Sequence, residues 1–124
     1  MLAGAEPCVL VAEDDDHAAI MEPCPASEGH VVVFPKRPVD AFFDLDPAAL
    51  SAFMVFSRRV ARVLEAAVPC VKIAAVIYGL KVRHAHLHLI PANGTPGEIA
   101  LDKPRPPADP AVLEGLAARI RIRL

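Results

Sequence analysis

The sequence predicts an α+β fold with a mainly antiparallel sheet of about five strands, one long helix and a C-terminal helix. Two observations support this class. Short apolar or β-branched runs bounded by turn residues follow one another early in the chain, which is typical of antiparallel hairpins. Two longer segments have helical spacing instead, and each follows an Asp-Pro pair typical of a helix N-terminus. Strands in runs, with helices between and after them, favour α+β over repeated βαβ units.

The first three strands are predicted from apolar runs and the turns around them. Residues 8–12 and 18–21 flank the acidic turn Glu13–Asp16, so they are predicted to pair as a hairpin. Those carboxylates also suit a metal site, but the turn is the favoured interpretation. Residues 22–29 hold two prolines, a serine and a glycine, which indicates a loop. His30–Phe34 is rich in valine and predicts the third strand.

The long helix is predicted from its cap and its periodicity. Asp46 suits the N-cap and Pro47 the first helical position, and the helix should run to about Ala67 and stop before Pro69. Its apolar positions follow helical spacing and predict the face that is buried. They are Leu50, Phe53, Met54, Val60, Ala61, Leu64 and Ala67.

The second half of the chain predicts two more strands and the last helix. Residues 71–78 form a long apolar run, and residues 82–90 alternate histidine with apolar residues. Residues 91–109 are rich in glycine and proline and predict a connection without regular structure. The Asp-Pro pair recurs at Asp109, where the final helix should begin. Its buried face is predicted to hold Leu113, Leu116, Ala117 and Ile120.

Composition excludes several classes of protein. The 124 residues fit a single domain, 1–124, and 54% hydrophobic with 23% charged residues is globular rather than disordered. A net charge of −2 argues against a nucleic-acid partner, and no apolar run reaches the roughly 20 residues of a membrane span. The three cysteines are widely spaced, which argues against a disulfide framework or a zinc ribbon. With no signal-peptide pattern, a cytoplasmic location is expected.

Three histidines carry the main chemical signal. His84, His86 and His88 alternate with apolar residues, so in a strand they would share one face. Alternate residues stand about 6.6 Å apart, so the outer two are roughly 13 Å apart at the backbone, too far for one tetrahedral ion. A nucleophile with orienting and proton-handling neighbours suits such a row better, because imidazole titrates near neutrality. A metal held by two neighbours and a third ligand stays open, as does a solvent-exposed polar face.

Residues 84–90, His-Ala-His-Leu-His-Leu-Ile, match the signature of the histidine triad (HIT) family, in which histidines alternate with apolar residues. The resemblance continues outside the motif. Residues 12–16 are similar to the acidic turn after the family's early strand, and residues 28–36 resemble its Gly-His to Pro-Lys stretch. Residues 42–47 resemble the entry to its long helix. The resemblance is strongest from about Val9 to Pro91, and the final Pro-rich loop and helix resemble the Hint-like branch of the family. It implies a HIT-like fold for the single domain.

The family resemblance implies a nucleotide-binding hydrolase or transferase that acts at the α-phosphate. His86 would attack phosphorus and carry a covalent nucleotidyl intermediate. His88 would contact the phosphate and the leaving group, and His84 would orient its neighbour. His30 matches a fourth histidine that faces the triad.

Further residues follow from the resemblance. Glu22 occupies the position of an aspartate that accepts hydrogen bonds from ribose hydroxyls. Ile20 and Val32 would line the wall that holds the base, although plain core packing explains them equally well. Leu80 stands where most members carry a glutamine that donates to the phosphate. Lys81 or Arg83 would supply positive charge in its place, but strict alternation points both away from the histidines, so only irregular backbone at Lys81 would bring a charge into the site.

Three functions remain open from the sequence. The first is a nucleoside phosphoramidase or related nucleotidyl hydrolase, and the second is a dinucleoside polyphosphate hydrolase. The third is a nucleotide-binding module with weak or lost catalysis, which the replaced glutamine favours. In each case the expected ligand is a purine nucleotide or a nucleotide-derived substrate, with no cofactor and no metal. The resemblance also implies a homodimer.

Overall fold

The computed structural model describes residues 8–80 and 82–124. In these ranges five strands form one antiparallel sheet with the order β1-β2-β3-β5-β4, accompanied by two α-helices, which confirms the α+β prediction. The strands are β1 Leu10–Glu13, β2 His17–Met21, β3 Val31–Pro35, β4 Lys72–Val76 and β5 Leu87–Ala92. The helices are α1 Pro47–Ala67 and α2 Pro110–Arg121, and a short 3₁₀ turn covers Phe42–Asp44. No helix in the described ranges is long and apolar enough to cross a membrane.

Both predicted helix caps are present. The Asp46 carboxylate accepts a hydrogen bond from the Ala49 N–H at 2.8 Å, and the helix ends at Ala67 as expected. The Asp109 carboxylate accepts from the Ala111 N–H at 2.9 Å. In each helix a proline follows the cap, where its missing N–H costs no hydrogen bond.

The sheet separates two apolar layers. The larger core lies against the helices and includes the inward residues of β3 and β5, such as Val33 and Leu89. It also takes the whole predicted face of α2: Leu113, Leu116, Ala117 and Ile120. On the opposite face of the sheet lies a smaller cluster of Ala18, Ile20, Val32 and Phe34. His88 pairs directly with Val32 across the strands, so it stands on this second face, away from the helices.

The buried face of α1 differs from the predicted one. Met54 is 43% exposed, whereas Phe56 and Ser57 are buried beside Phe53. The Ser57 hydroxyl is satisfied within the helix, since it donates to the Phe53 carbonyl at 2.8 Å. The buried stripe is therefore rotated away from Met54, which hydropathy alone does not distinguish.

Both strands of the second half are shorter than predicted. Residues 77–80 leave the sheet after β4, and Gly79 adopts a φ of 70°, which ends extended pairing. The predicted strand 82–90 begins only at Leu87, where its pairing with Val33 of β3 starts. Ala85 instead donates its N–H to the Val39 carbonyl. Two of the three alternating histidines thus precede the strand.

Gly29 is expected to tolerate no side chain. Its φ is 90°, and an added Cβ would lie 2.9 Å from Val68 Cγ2 and 3.2 Å from Pro91 Cγ. Gly94 has the same φ of 90° but open space around it, so Gly94→Ala introduces only the strain of a positive φ and no steric clash. We expect Gly29→Ala to lower the free energy of unfolding by about 1–3 kcal/mol more than Gly94→Ala does. Urea denaturation measures both, and equal losses would contradict the packing argument.

Candidate functional site

Four buried histidines gather on the sheet face opposite the helices. His30 immediately precedes β3, and His88 lies in β5. His84 and His86 lie in the irregular segment before β5. Each is at most 8% exposed, although imidazole is usually found partly exposed. The ring centroids of His86 and His88 are 4.9 Å apart, and those of His30 and His88 are 5.1 Å apart. The fold therefore brings the rings of His30, His86 and His88 together, while the His84 ring packs against Phe34.

Backbone carbonyls determine which nitrogen of His86 is available. Its Nδ1 lies 2.6 Å from the His84 carbonyl oxygen, and a carbonyl can only accept. The proton of the neutral ring is therefore on Nδ1, and the lone pair is on Nε2. The His84 ring is held in turn, because its Nε2–H donates to the Pro35 carbonyl at 2.6 Å. His84 thus orients His86 through its main chain rather than through its ring.

A directed hydrogen-bond chain fixes the protons of His30 and His88. The Ala26 N–H donates to His30 Nδ1 at 3.0 Å, so the proton of a neutral His30 is on Nε2. This Nε2–H donates to His88 Nδ1 at 3.0 Å. His88 therefore keeps its own proton on Nε2, the nitrogen that remains for a ligand. A histidine with this tautomer donates a hydrogen bond but is not a nucleophile.

Burial keeps both of these rings neutral. Desolvation, together with smaller electrostatic contributions from His88 and Arg105, lowers the pKa of His30 to about 3. Desolvation, with smaller contributions from His86 and Arg105, likewise lowers the pKa of His88 to about 4. At neutral pH the chain from His30 to His88 consists of two uncharged imidazoles, as the tautomer argument requires.

The distances in this cluster would suit a metal ion, but the protonation of its histidines does not. Among the described residues, ligand atoms of Glu22, His30 and His88 lie within 4.8 Å of one another. Two histidines and a carboxylate are common ligands of first-row transition metals. A neutral imidazole has a single lone pair, however, and that of His30 already accepts from the Ala26 N–H. The hydrogen bonds therefore favour a proton-ordered pair over a metal centre.

Two cavities meet at His86. The smaller, of about 240 Å³, extends over Glu22 and His88. The larger, of about 520 Å³, extends toward Leu80, which is 76% exposed. Tyr78 and His86 border both cavities. A ligand bound through an atom at His86 can therefore place one part in each cavity.

Glu22 lies in the smaller cavity, as its predicted role requires. Its side chain is 18% exposed, and burial raises the pKa of the carboxyl. The Cys24 N–H and the Arg105 guanidinium oppose this rise, at 3.4 Å and 3.9 Å from Oε1. Ile20 and Val32 are buried in the small apolar cluster and border neither cavity at His86, so their contact with a base stays a prediction. The predicted residue Lys81 lies outside the described residues.

Sequence reasoning missed the residues that the last connection contributes. Leu101, Lys103 and Arg105 line the smaller cavity with the histidines. They belong to the 91–109 connection, which the sequence predicted only as a loop. The available signal was two cations within a Pro-rich stretch, which is too weak to assign to a site. Their role depends on how this loop folds back over the sheet.

This chain is similar to known HIT proteins. The HIT domain family model matches residues 3–95. An uncharacterized HIT-like protein of Mycobacterium tuberculosis is 32% identical in an alignment of 100 residues that covers 73% of this chain and 67% of that protein. An uncharacterized HIT-like protein of Methanocaldococcus jannaschii is 26% identical and covers 80% of both chains.

Solved structures agree with the sequence relatives. A Hit-like protein from Bartonella henselae, described as involved in cell-cycle regulation, has a TM-score of 0.84 at 26% identity, over 99% of this chain and 91% of its own. A hypothetical histidine triad nucleotide-binding protein from Sulfolobus tokodaii has a TM-score of 0.82 at 26% identity, over 95% and 84%. With its family match, its fold and its histidine motif, this chain belongs to the HIT family.

Proposed function

We propose that this protein is a nucleotide hydrolase that acts at the α-phosphate of a nucleoside phosphoramidate or a related nucleotide, through a covalent bond to His86. The orientation of His86 carries the proposal. Its Nδ1–H is held by the His84 carbonyl, so the Nε2 lone pair is available where the two cavities meet. A neutral imidazole so oriented is a suitable nucleophile for phosphorus.

The reaction follows from these tautomers. His86 Nε2 attacks phosphorus, the bond to the leaving amine breaks, and the amine takes a proton from water. The positive charge that develops on the His86 ring is stabilised by the His84 carbonyl, which accepts its Nδ1–H. The Nε2–H of His88 is available to donate to a phosphate oxygen. The hydroxide left from that water then attacks phosphorus, the bond between phosphorus and His86 Nε2 breaks, and the nucleoside monophosphate leaves with neutral His86 restored.

The smaller cavity is assigned to the nucleoside and the larger to the leaving group. Glu22 supports this assignment, because its carboxylate accepts hydrogen bonds as a ribose hydroxyl requires. The larger cavity opens beside Leu80 and carries the ion pair of Arg83 with Asp40 at 2.8 Å. An amine leaving group suits this site better than a polyphosphate, because the Arg83 charge is already paired.

Nucleotide binding with weak turnover is the second candidate, favoured by Leu80. This apolar side chain borders the larger cavity where most family members carry a donating glutamine. The loss of one donor to a developing oxyanion costs about 10²–10³-fold in rate. The two candidates therefore predict similar nucleotide affinity but different turnover.

A substrate panel separates these functions. We expect the purified protein to cleave adenosine 5′-phosphoramidate to adenosine monophosphate, with a higher kcat/KM than for a dinucleoside polyphosphate. An acid quench during turnover should show the mass of one nucleotidyl group on His86. Faster cleavage of the dinucleoside polyphosphate would reverse the order of substrates. Tight binding of adenosine monophosphate without cleavage of any substrate would favour the binding module.

We also propose a homodimer in the cytoplasm. The edge strand β4 leaves one side of the sheet unpaired, and Val71 beside it is 75% exposed. On α1, Val55 and Met54 are 70% and 43% exposed. Unpaired edges and exposed apolar residues are commonly covered by a partner, usually with two-fold symmetry. Light scattering at micromolar concentration should give twice the chain mass of 13.2 kDa, and a mass of one chain would contradict the dimer.

A further inference from the structure

The C-terminal strap, defined here as residues 100–108, crosses the open face of the site. It lies beyond residue 95, where the family match ends. Two hydrogen bonds hold the strap against the loop after β2, and a third joins two residues of the strap itself. The Ala108 N–H donates to the Pro23 carbonyl at 2.9 Å, and Arg105 Nε–H donates to the Cys24 carbonyl at 2.7 Å. Arg105 Nη1–H donates to the Ala100 carbonyl at 3.2 Å.

Two nitrogens of Arg105, Nε and Nη1, already donate hydrogen bonds, and Nη2 makes none to the described residues. Its side chain is only 18% exposed and lines the same cavity as His86 and His88. Its nearest described carboxylate oxygen, Glu22 Oε1, is 3.9 Å from Nη2, which is longer than a hydrogen bond. A largely buried guanidinium whose Nη2 donors are unused in a cavity is suited to an anion, because its N–H groups form charge-assisted hydrogen bonds to phosphate oxygens.

The charges of the cavity lead to the same conclusion. Glu22 contributes one negative charge, while Arg105 and Lys103 contribute one positive charge each. With two cations against one anion, the lining has a net positive charge before any ligand binds. A nucleoside phosphate derivative with a single negative charge would balance it.

We propose that Arg105 binds the phosphate group of the nucleotide, in place of the donor that most HIT proteins have at the position of Leu80. This inference rests on the proposed function, because it assumes that a nucleotide occupies the smaller cavity. It extends that function in two ways. It assigns a phosphate-binding residue outside the family-matched segment, and it predicts a preference for ligands with an anionic phosphate over the bare nucleoside.

The test compares adenosine monophosphate with adenosine, measured by calorimetry on the full chain. We expect Arg105→Gln to weaken binding of the monophosphate about 10- to 100-fold, the range of a hydrogen bond to a charged group, and to change adenosine binding less than about threefold. Arg105→Lys should keep part of the preference, since it keeps the charge. Arg62→Gln is the matched control, because it removes an exposed arginine paired with Glu65 on α1.

The outcomes distinguish this inference from the proposed function. Equal weakening of both ligands by Arg105→Gln would mean that Arg105 only supports the strap, and it would overturn the inference. A wild-type protein that prefers the monophosphate and keeps this preference in Arg105→Gln would overturn it too, while the proposed function would stand. A wild-type protein that binds neither ligand would overturn both.

Discussion

Replacing His86 by alanine is expected to reduce turnover of adenosine 5′-phosphoramidate by at least about 10³-fold, because removal of a covalent nucleophile leaves only positioning and charge stabilisation. The loss should lie in kcat. Binding of adenosine monophosphate should stay within a few-fold of the wild type, since Glu22, His88 and Arg105 still line the smaller cavity. Steady-state kinetics and calorimetry measure the two quantities separately.

Two controls make this result specific. The melting temperature of His86→Ala shows whether the substitution affects folding, and the acid-quench experiment should detect no nucleotidyl adduct. His84→Ala keeps the carbonyl that accepts from His86 Nδ1 but loses the ring contact to Pro35, so its loss of turnover should be smaller. Turnover of His86→Ala at the wild-type rate would contradict the covalent mechanism.

Mild acid is expected to destabilise the fold through two histidines. In the unfolded chain each titrates near its ordinary pKa of about 6.5, whereas the folded pKa is about 3 for His30 and about 4 for His88. Below pH 6.5 the unfolded state thus binds more protons than the folded state, so the free energy of unfolding falls as pH falls. The expected loss between pH 7 and pH 5 is about 2 kcal/mol for each histidine.

The variant His30→Gln isolates one of these contributions. Glutamine can accept from the Ala26 N–H and donate to His88 Nδ1, but it does not titrate. In urea denaturation the difference in unfolding free energy between pH 7 and pH 5 should shrink by about 2 kcal/mol. Ser57→Ala removes another buried hydrogen bond and is the control, since it should leave this difference unchanged. An unchanged difference in His30→Gln would contradict the neutral state of His30.

Local patterns were sufficient for most of the secondary structure. The caps at Asp46 and Asp109 were predicted because N-capping depends on residues only two or three positions apart. The buried face of α2 was predicted fully, while Met54 on α1 was not, because burial there depends on how the helix is rotated against the sheet. The strand before Leu87 was overpredicted for a similar reason, since its length depends on pairing with β3, and that pairing starts only at Val33 and Leu87.

The sequence by itself determined the α+β class, both helix starts, the family and the set of four histidines, because periodicity, capping and a contiguous motif are local properties of a chain. Only the tertiary structure decided which nitrogen of His86 is available, how His30 fixes the proton of His88 across 58 residues, and that Arg105 enters the site. These properties depend on single hydrogen bonds and close contacts between distant segments. No local pattern of residues specifies them.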